Sequence, residues 1–88
     1  MMVVKKLFKI GEVMRYSGFS RQTIHNYTVL GLIREAERTE SGHRLYDEDV
    51  FVRLQRIKDL RGQKTLRQIR EIVKQEFGES QGREDGAI

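Results

Sequence analysis

Two arginines, two hydroxyl side chains and a glycine lie close together in the segment RTESGHR. Arg38 and Arg44 can donate paired N–H groups to a phosphate, and the Thr39 and Ser41 hydroxyls can add hydrogen bonds. Gly42 has no side chain, so the backbone N–H groups of this turn could approach a phosphate closely. The segment is therefore a candidate phosphate contact, and the alternative is an ordinary solvated turn.

Three consecutive acids, Asp47, Glu48 and Asp49, follow this segment and predict the start of a third helix. Asp47 can cap it, and acids in the first turn are favoured by the helix dipole. An apolar stripe at helical spacing follows, formed by Val50, Leu54, Ile57 and Leu60. The predicted helix ends before Gly62 and carries three arginines outside the stripe: Arg53, Arg56 and Arg61. The acids thus serve the fold, whereas the bases before them are free for a ligand.

Two short helices with a turn between them precede the basic segment. The first contains Ile10, Val13 and Met14 at helical spacing and ends at Ser17-Gly18. Ser20 is a good N-cap for a second helix from Arg21 to Leu30, which Gly31 ends. In that helix Ile24 and Tyr27 can point inward, whereas Gln22, His25 and Asn26 point elsewhere. This spacing is typical of a helix-turn-helix unit.

The remaining segments predict a small β-hairpin and a fourth helix. Leu32-Ile33 and Arg44–Tyr46 predict short strands joined by the polar loop 34–43, and Leu7–Ile10 predicts an extended lead-in. Thr65 can cap the fourth helix, whose apolar stripe is Leu66, Ile69, Ile72, Val73 and Phe77. Residues 7–77 are thus predicted to form one mostly α domain of four helices with a β-hairpin wing. Residues 78–88 predict a flexible tail or the remnant of a linker.

The charge balance favours a polyanionic partner. The chain has 88 residues, with 17 Lys and Arg against 13 Asp and Glu, and a formal net charge of +4. The last eleven residues hold one arginine and three acids, so the other 77 carry 16 bases and 10 acids. A basic face of this kind suits nucleic acid, although other soluble proteins share this balance.

Several other classes of function are disfavoured. The chain has no cysteine, which excludes disulfides and cysteine-based metal or redox sites within it. His25 and His43 lie in unrelated segments, and no set of nucleophile, base and orienting group can be assembled. We therefore expect that the chain has no catalytic activity and binds no metal or cofactor. No apolar run approaches the roughly 20 residues of a membrane span, so the cytoplasm is the expected location.

Several motifs resemble the DNA-binding domain of MerR-type transcriptional regulators. The resemblance covers about residues 8–77 and rests on IGEVMRYSGFSRQTIHNY, GLI and above all RTESGHRLY leading into DEDVFVRLQRIKDLR. It implies a winged helix-turn-helix fold with helix 21–30 reading the major groove. It also implies that the hairpin 34–46 forms a first wing and the link 61–65 a second. The implied partners are double-stranded DNA and RNA polymerase, with homodimerisation in a full-length protein.

The expected DNA-binding residues follow from these motifs and from the exposed polar positions. Gln22 matches a base-reading position, Tyr27 a tyrosine that touches the backbone, and Arg38, Thr39 and Arg44 the wing. The complete expected set is Arg15, Tyr16, Ser20, Arg21, Gln22, Thr23, His25, Asn26, Tyr27, Arg38, Thr39, Ser41, Gly42, His43, Arg44, Arg61 and Lys64. Tyr46 is expected mainly to pack between the wing and the third helix, with a phosphate contact from its hydroxyl as the lesser possibility.

This chain departs from the family pattern at three places. His25-Asn26-Tyr27 replaces the usual Arg-Tyr-Tyr run, so base preference cannot be transferred. Arg34-Glu35 replaces the usual prolines, which should loosen the wing. The chain also ends before the long helix that pairs two copies in the family. It is therefore a domain of a longer regulator, a small protein that dimerises differently, or a monomeric binder.

Two alternative functions are compatible with the same fold. A small DNA-bending cofactor of the excisionase type would explain the short chain, and it would bend DNA strongly beside a recombinase. A protein-interaction module would use the winged-helix face to bind an acidic protein. Loss of Gln22 and Asn26 together would leave partner binding intact in the second case, but would abolish sequence preference in a DNA reader.

Overall fold

The computed structural model describes residues 6–78 as four helices and a small sheet. The elements follow the order β1 (Phe8–Lys9), α1 (Ile10–Ser17), α2 (Arg21–Val29), β2 (Glu37–Arg38), β3 (Arg44–Tyr46), α3 (Asp49–Leu60) and α4 (Leu66–Phe77). This architecture confirms the predicted mostly α fold with a β-hairpin. The predicted tail lies outside the described residues except for Gly78.

Polar caps and a left-handed glycine define the helix ends. The Ser20 hydroxyl accepts a hydrogen bond from the Thr23 N–H at 3.1 Å, as expected of an N-cap. Thr65 and Gln68 form a reciprocal capping box at the start of α4. Gly18 has φ +82° and donates its N–H to the Met14 carbonyl, which ends α1. The Gly18 and Ser20 interactions set the tight turn between α1 and α2.

The sheet has the strand order β1-β3-β2, with antiparallel pairing throughout. The predicted strand at Leu32-Ile33 is wrong, because Glu37 and Arg38 are the residues that pair with β3. Leu32 and Ile33 instead donate their N–H groups to the Tyr27 carbonyl at 2.9 and 3.3 Å, which closes the end of α2. Both side chains are fully buried. Their apolar character therefore reflects entry into the core.

The core lies between the four helices and the inner face of the sheet. Its buried apolar members are Val13, Phe19, Ile24, Tyr27, Leu32, Ile33, Tyr46, Val50, Leu54, Ile57, Leu60, Ile69 and Val73. The predicted inward direction of Ile24 and Tyr27 and the predicted stripe on α3 are confirmed. Leu66 departs from the α4 prediction, because it is 47% exposed at the first position of that helix.

Arg53 also departs from prediction, since it is 2% exposed although the sequence suggests an outward position. Its Nε donates to the Asp49 carboxylate at 2.5 Å and its Nη2 to the Phe77 carbonyl at 3.2 Å. The guanidinium also lies 5.1 Å from the centre of the Phe77 ring. A buried charge needs such partners, so Arg53 ties α3 to the end of α4.

At the start of α3 the N-cap position is held by Glu48, which makes no side-chain cap bond, and the predicted cap, Asp47, lies one residue earlier. Its carboxylate accepts the N–H of Asp49 at 3.0 Å. The regular helix begins at Asp49, slightly later than the run of acids suggests.

Arg56 of α3 forms a bidentate pair with Glu76 of α4 at 2.9 and 2.8 Å. Arg56 therefore joins α3 to α4, and we do not assign it to a ligand-binding site.

Candidate nucleic-acid interface

The exposed face of α2 carries four polar side chains: Arg21, Gln22, His25 and Asn26. Their spacing of three and four residues places them on one side of the helix, opposite the buried Ile24. Gln22 Nε2 donates to Asn26 Oδ1 at 3.0 Å, so these two amides are oriented by each other. At the start of the helix the Ser20 hydroxyl, which is the N-cap, donates to the Thr23 hydroxyl at 2.9 Å.

The tip of the wing is organised by its own hydrogen bonds. The N–H of Thr39 donates to the His43 carbonyl, and the N–H of Gly42 donates to the Thr39 carbonyl, both at 2.9 Å. The His43 N–H donates to the Thr39 hydroxyl, and Ser41 Oγ lies 3.1 Å from His43 Nδ1. Three backbone N–H groups are therefore engaged within the turn. These three groups already have partners, so the expected phosphate contact through backbone donors stays a prediction, and Gly42 adopts φ +90° in the turn.

Glu35 holds both arginines of the wing. Its Oε1 accepts from Arg44 Nε at 2.8 Å and from Arg38 Nη2 at 3.1 Å, and its Oε2 accepts from Arg38 Nε at 2.6 Å. The Arg38 hydrogen bond is the largest cause that holds the pKa of Glu35 below its ordinary value, and Arg44 contributes further. The same bond raises the pKa of Arg38. Sequence reasoning missed Glu35, whose position gives no signal except the absence of the family's proline.

Two contacts attach β3 to α2. Arg44 Nη1 lies 3.0 Å from His25 Nδ1, and the Tyr46 hydroxyl lies 2.9 Å from the Thr28 hydroxyl. Thr28 donates its single hydroxyl proton to the Ile24 carbonyl at 2.8 Å, so Tyr46 must be the donor to Thr28. Tyr46 has no exposed surface. Its expected packing role is confirmed, and the lesser possibility of a phosphate contact is removed in this conformation.

The link between α3 and α4 borders α2 on another side. A surface cavity of about 400 Å³ is lined by Thr23, His25, Asn26, Tyr27, Val29, Leu30, Arg61 and Leu66. Arg61 and Lys64 are exposed on this link, and the Arg61 guanidinium lies 5.2 Å from the centre of the Phe19 ring. Arg70 of α4 donates to the Leu30 carbonyl at 2.8 Å. The second predicted wing therefore lies beside α2.

Three residues of the expected set are placed differently from the rest. Tyr27 is 6% exposed and packs edge-on against Phe19, so only a small part of it can reach a ligand. Arg15 and Tyr16 are exposed on α1, and the Tyr16 ring contacts Phe51 of α3. Within residues 6–78 neither of them has a hydrogen bond or ring contact with α2 or the wing. The structure thus brings together α2, the wing and the link.

A second surface cavity, of about 460 Å³, is lined by residues of α3 and α4: Phe51, Val52, Gln55, Arg56, Asp59 and Phe77. No group of three or more His, Cys, Asp or Glu side chains in residues 6–78 could hold a metal ion. Among the helices of this same region, none has the length and apolar character needed to cross a membrane. The basic and amide side chains around α2 are the candidate binding surface that the predicted residues share.

Known proteins share both the sequence and the fold of this region. Residues 8–76 match the family described as MerR HTH family regulatory protein. The chain is 47% identical over 51 residues to the mercuric resistance operon regulatory protein of Bacillus cereus, covering 58% of this chain and 39% of that protein. It is 37% identical over 57 residues to the nodulation protein NolA of Bradyrhizobium elkanii, covering 65% and 26%.

A solved structure shows the same architecture. The crystal structure of a MerR-family transcriptional regulator from Bacillus cereus superposes with a TM-score of 0.70 and 26% sequence identity, covering 77% of this chain and 52% of that one. The curated relatives are longer than the match, since this chain spans between about a quarter and two fifths of the two proteins named above.

Proposed function

The chain belongs to the MerR family of helix-turn-helix regulatory proteins and contains the family's DNA-binding domain; we propose that it binds double-stranded DNA with α2 in the major groove. The observation that carries this proposal is the placement of α2. Its exposed polar face lies between the arginine-bearing wing, through the Arg44–His25 contact, and the basic link of Arg61 and Lys64.

The basic side chains on both sides of α2 would supply affinity without sequence preference. Arg38 and Arg44 on the wing, and Arg61 and Lys64 on the link, would neutralise phosphates and release counterions. Such contacts fix the position of the domain along the duplex but do not distinguish bases. We therefore expect binding that falls steeply as salt rises.

Base discrimination would come from the face of α2. The hydrogen bond between Gln22 and Asn26 commits one donor and one acceptor, which leaves the Gln22 carbonyl and the Asn26 amino group to face a ligand. An amide pair of this kind suits adenine, which offers an acceptor at N7 beside a donor at N6. Gln22 and Asn26 are thus proposed to act as one reading unit.

Several further properties belong to the same proposal. A single module of this size is expected to bury about 600–1,000 Å² of protein surface on DNA, which gives modest affinity. A homodimer on a pseudo-palindrome would double the contacts and set the spacing of half-sites. Regulation of transcription with RNA polymerase as a second partner, and a cytoplasmic location, are proposed for the whole protein. We propose no catalytic activity for the chain.

The test measures DNA binding by fluorescence anisotropy over a series of salt concentrations, with random duplexes and with duplexes selected by the protein. The double variant Q22A/N26A should lose most of its preference for selected over random DNA, while its affinity for random DNA stays similar. Gln55→Ala is the matched control, because Gln55 donates to Asp59 with the same spacing of four residues on α3. A chain that ignores DNA at low salt would refute the proposal and favour a protein partner.

A further inference from the structure

The contact between the wing and α2 determines where His25 carries its proton. Arg44 Nη1 lies 3.0 Å from His25 Nδ1. A guanidinium has only donors, so Nδ1 must be the acceptor in this hydrogen bond. An imidazole with an accepting Nδ1 is neutral and carries its proton on Nε2. The exposed edge of His25 is therefore a hydrogen-bond donor.

Arg44 is itself held in one orientation. Its Nε donates to Glu35 at 2.8 Å, and its side chain is only 24% exposed. The second contact of β3 with α2, from Tyr46 to Thr28 at 2.9 Å, lies two residues along the strand and three along the helix. The planar guanidinium thus has one edge on Glu35 and another N–H group on His25, so its direction does not depend on a flexible side chain alone.

We propose that Arg44 is a positioning residue that keeps His25 in the tautomer protonated on Nε2, so that α2 selects guanine at one base of the DNA site. This inference rests on the proposed function. His25 stands where the family pattern usually has an arginine. It lies on the same helical face as Gln22 and Asn26, one turn from Gln22.

Guanine is the base that best matches a single donor in this position. Its major-groove edge offers two adjacent acceptors, O6 and N7, whereas cytosine presents an N4 amino donor. Adenine places an N6 donor beside its N7 acceptor, and thymine places a methyl group beside O4. One hydrogen bond of this kind should favour guanine over cytosine by about threefold to tenfold.

The experiment selects preferred sequences from randomised duplexes with the 88-residue chain and four variants. His25→Asn keeps an acceptor near Nδ1 but has no group at the Nε2 position. Arg44→Lys keeps the positive charge but loses the planar fork that reaches both Glu35 and His25. Arg56→Lys and Gln55→Ala are the matched controls, because the first changes an arginine that is bidentate to a glutamate of α4, the second changes an amide on α3, and neither residue belongs to the candidate interface.

The expected result is a guanine preference at one position that falls by at least about threefold in both H25N and R44K. R56K and Q55A should keep that preference. An unchanged guanine preference in H25N or R44K, or a preferred base other than guanine, would overturn this inference. If binding to DNA still depended on salt, the proposed function would stand. Failure of every protein to bind DNA would reject both.

Nitrogen NMR of the imidazole rings tests the same inference without DNA. The chain has two histidines, so H25N identifies the His25 signals by their loss. We expect a protonated Nε2 and an unprotonated Nδ1 at His25 in the unmodified chain, and a mixture of tautomers in R44K. A proton on Nδ1 in the unmodified chain, or spectra that R44K leaves unchanged, would overturn the assignment of Arg44 as the positioning residue.

Discussion

Removal of the Glu35 charge should strengthen binding to DNA and make it more sensitive to salt. Glu35 accepts three hydrogen bonds from Arg38 and Arg44, so the three groups together carry a net charge of +1. Glu35→Gln raises this to +2 and frees the equivalent of one cation for a phosphate. One additional phosphate contact increases the slope of log affinity against log salt by about 0.9. The fall in affinity between roughly 50 and 200 mM salt should then be about 3.5-fold larger than in the unmodified chain.

The assay is fluorescence anisotropy with a random-sequence duplex, so that base preference does not enter the comparison. Glu76→Gln is the matched control, because Glu76 forms a similar bidentate pair with Arg56 away from α2 and the wing. That variant should change the slope much less. An E35Q slope equal to that of the unmodified chain, or equal effects of E35Q and E76Q, would show that the wing arginines do not contact phosphates.

Three further predictions concern stability. Tyr46→Phe removes the hydroxyl that donates to α2 and should lower the free energy of unfolding by about 1 kcal/mol, as measured by urea denaturation; no loss would mean that this bond contributes nothing. The pKa values of Glu35 and Glu76 lie below the ordinary 4.5 because arginines bond to both carboxylates. Their stabilising effect is therefore present above that value and is lost as the pH falls through the lowered pKa values. The double variant E35Q/E76Q should show a weaker fall in urea midpoint between about pH 5 and pH 3 than the unmodified chain, and parallel curves would contradict this origin of acid sensitivity. Gly18→Ala places a side chain at φ +82° and should lower the free energy of unfolding by about 1–2 kcal/mol. Gly11→Ala, within α1 and with no atom nearby, should leave that free energy unchanged or raise it. Thermal melting of both variants measures the difference.

Interactions between near neighbours in the chain are the part of this protein that its sequence predicts well. Ser20 and Thr65 begin helices as predicted, because a capping hydroxyl bonds to an N–H group only three residues away. The buried face of α3 is also predicted correctly, because residues three and four apart in a helix lie on the same side. The motif from Arg38 to Tyr46 also predicts the family, which the match over residues 8–76 confirms.

Errors in the prediction arise where the environment of a residue depends on distant segments. Leu32 and Ile33 are residue types that favour strands, but their N–H groups donate to the Tyr27 carbonyl at the end of α2 and their side chains are buried in the core. Arg53 has the composition of a surface residue, but the carbonyl of Phe77, 24 residues away, accepts one of its N–H groups in the interior. The residue types alone do not show which distant segments will come into contact.

The candidate interface divides in the same way. The sequence by itself determines that Gln22, His25 and Asn26 share an exposed face of α2, because helical periodicity alone places them there. Only the tertiary structure brings Arg44 to His25, 19 residues away, and orients Arg44 with Glu35. A donor and an acceptor so far apart in the chain meet only when the sheet packs against the helix, and that packing decides which nitrogen of His25 faces the solvent as a donor.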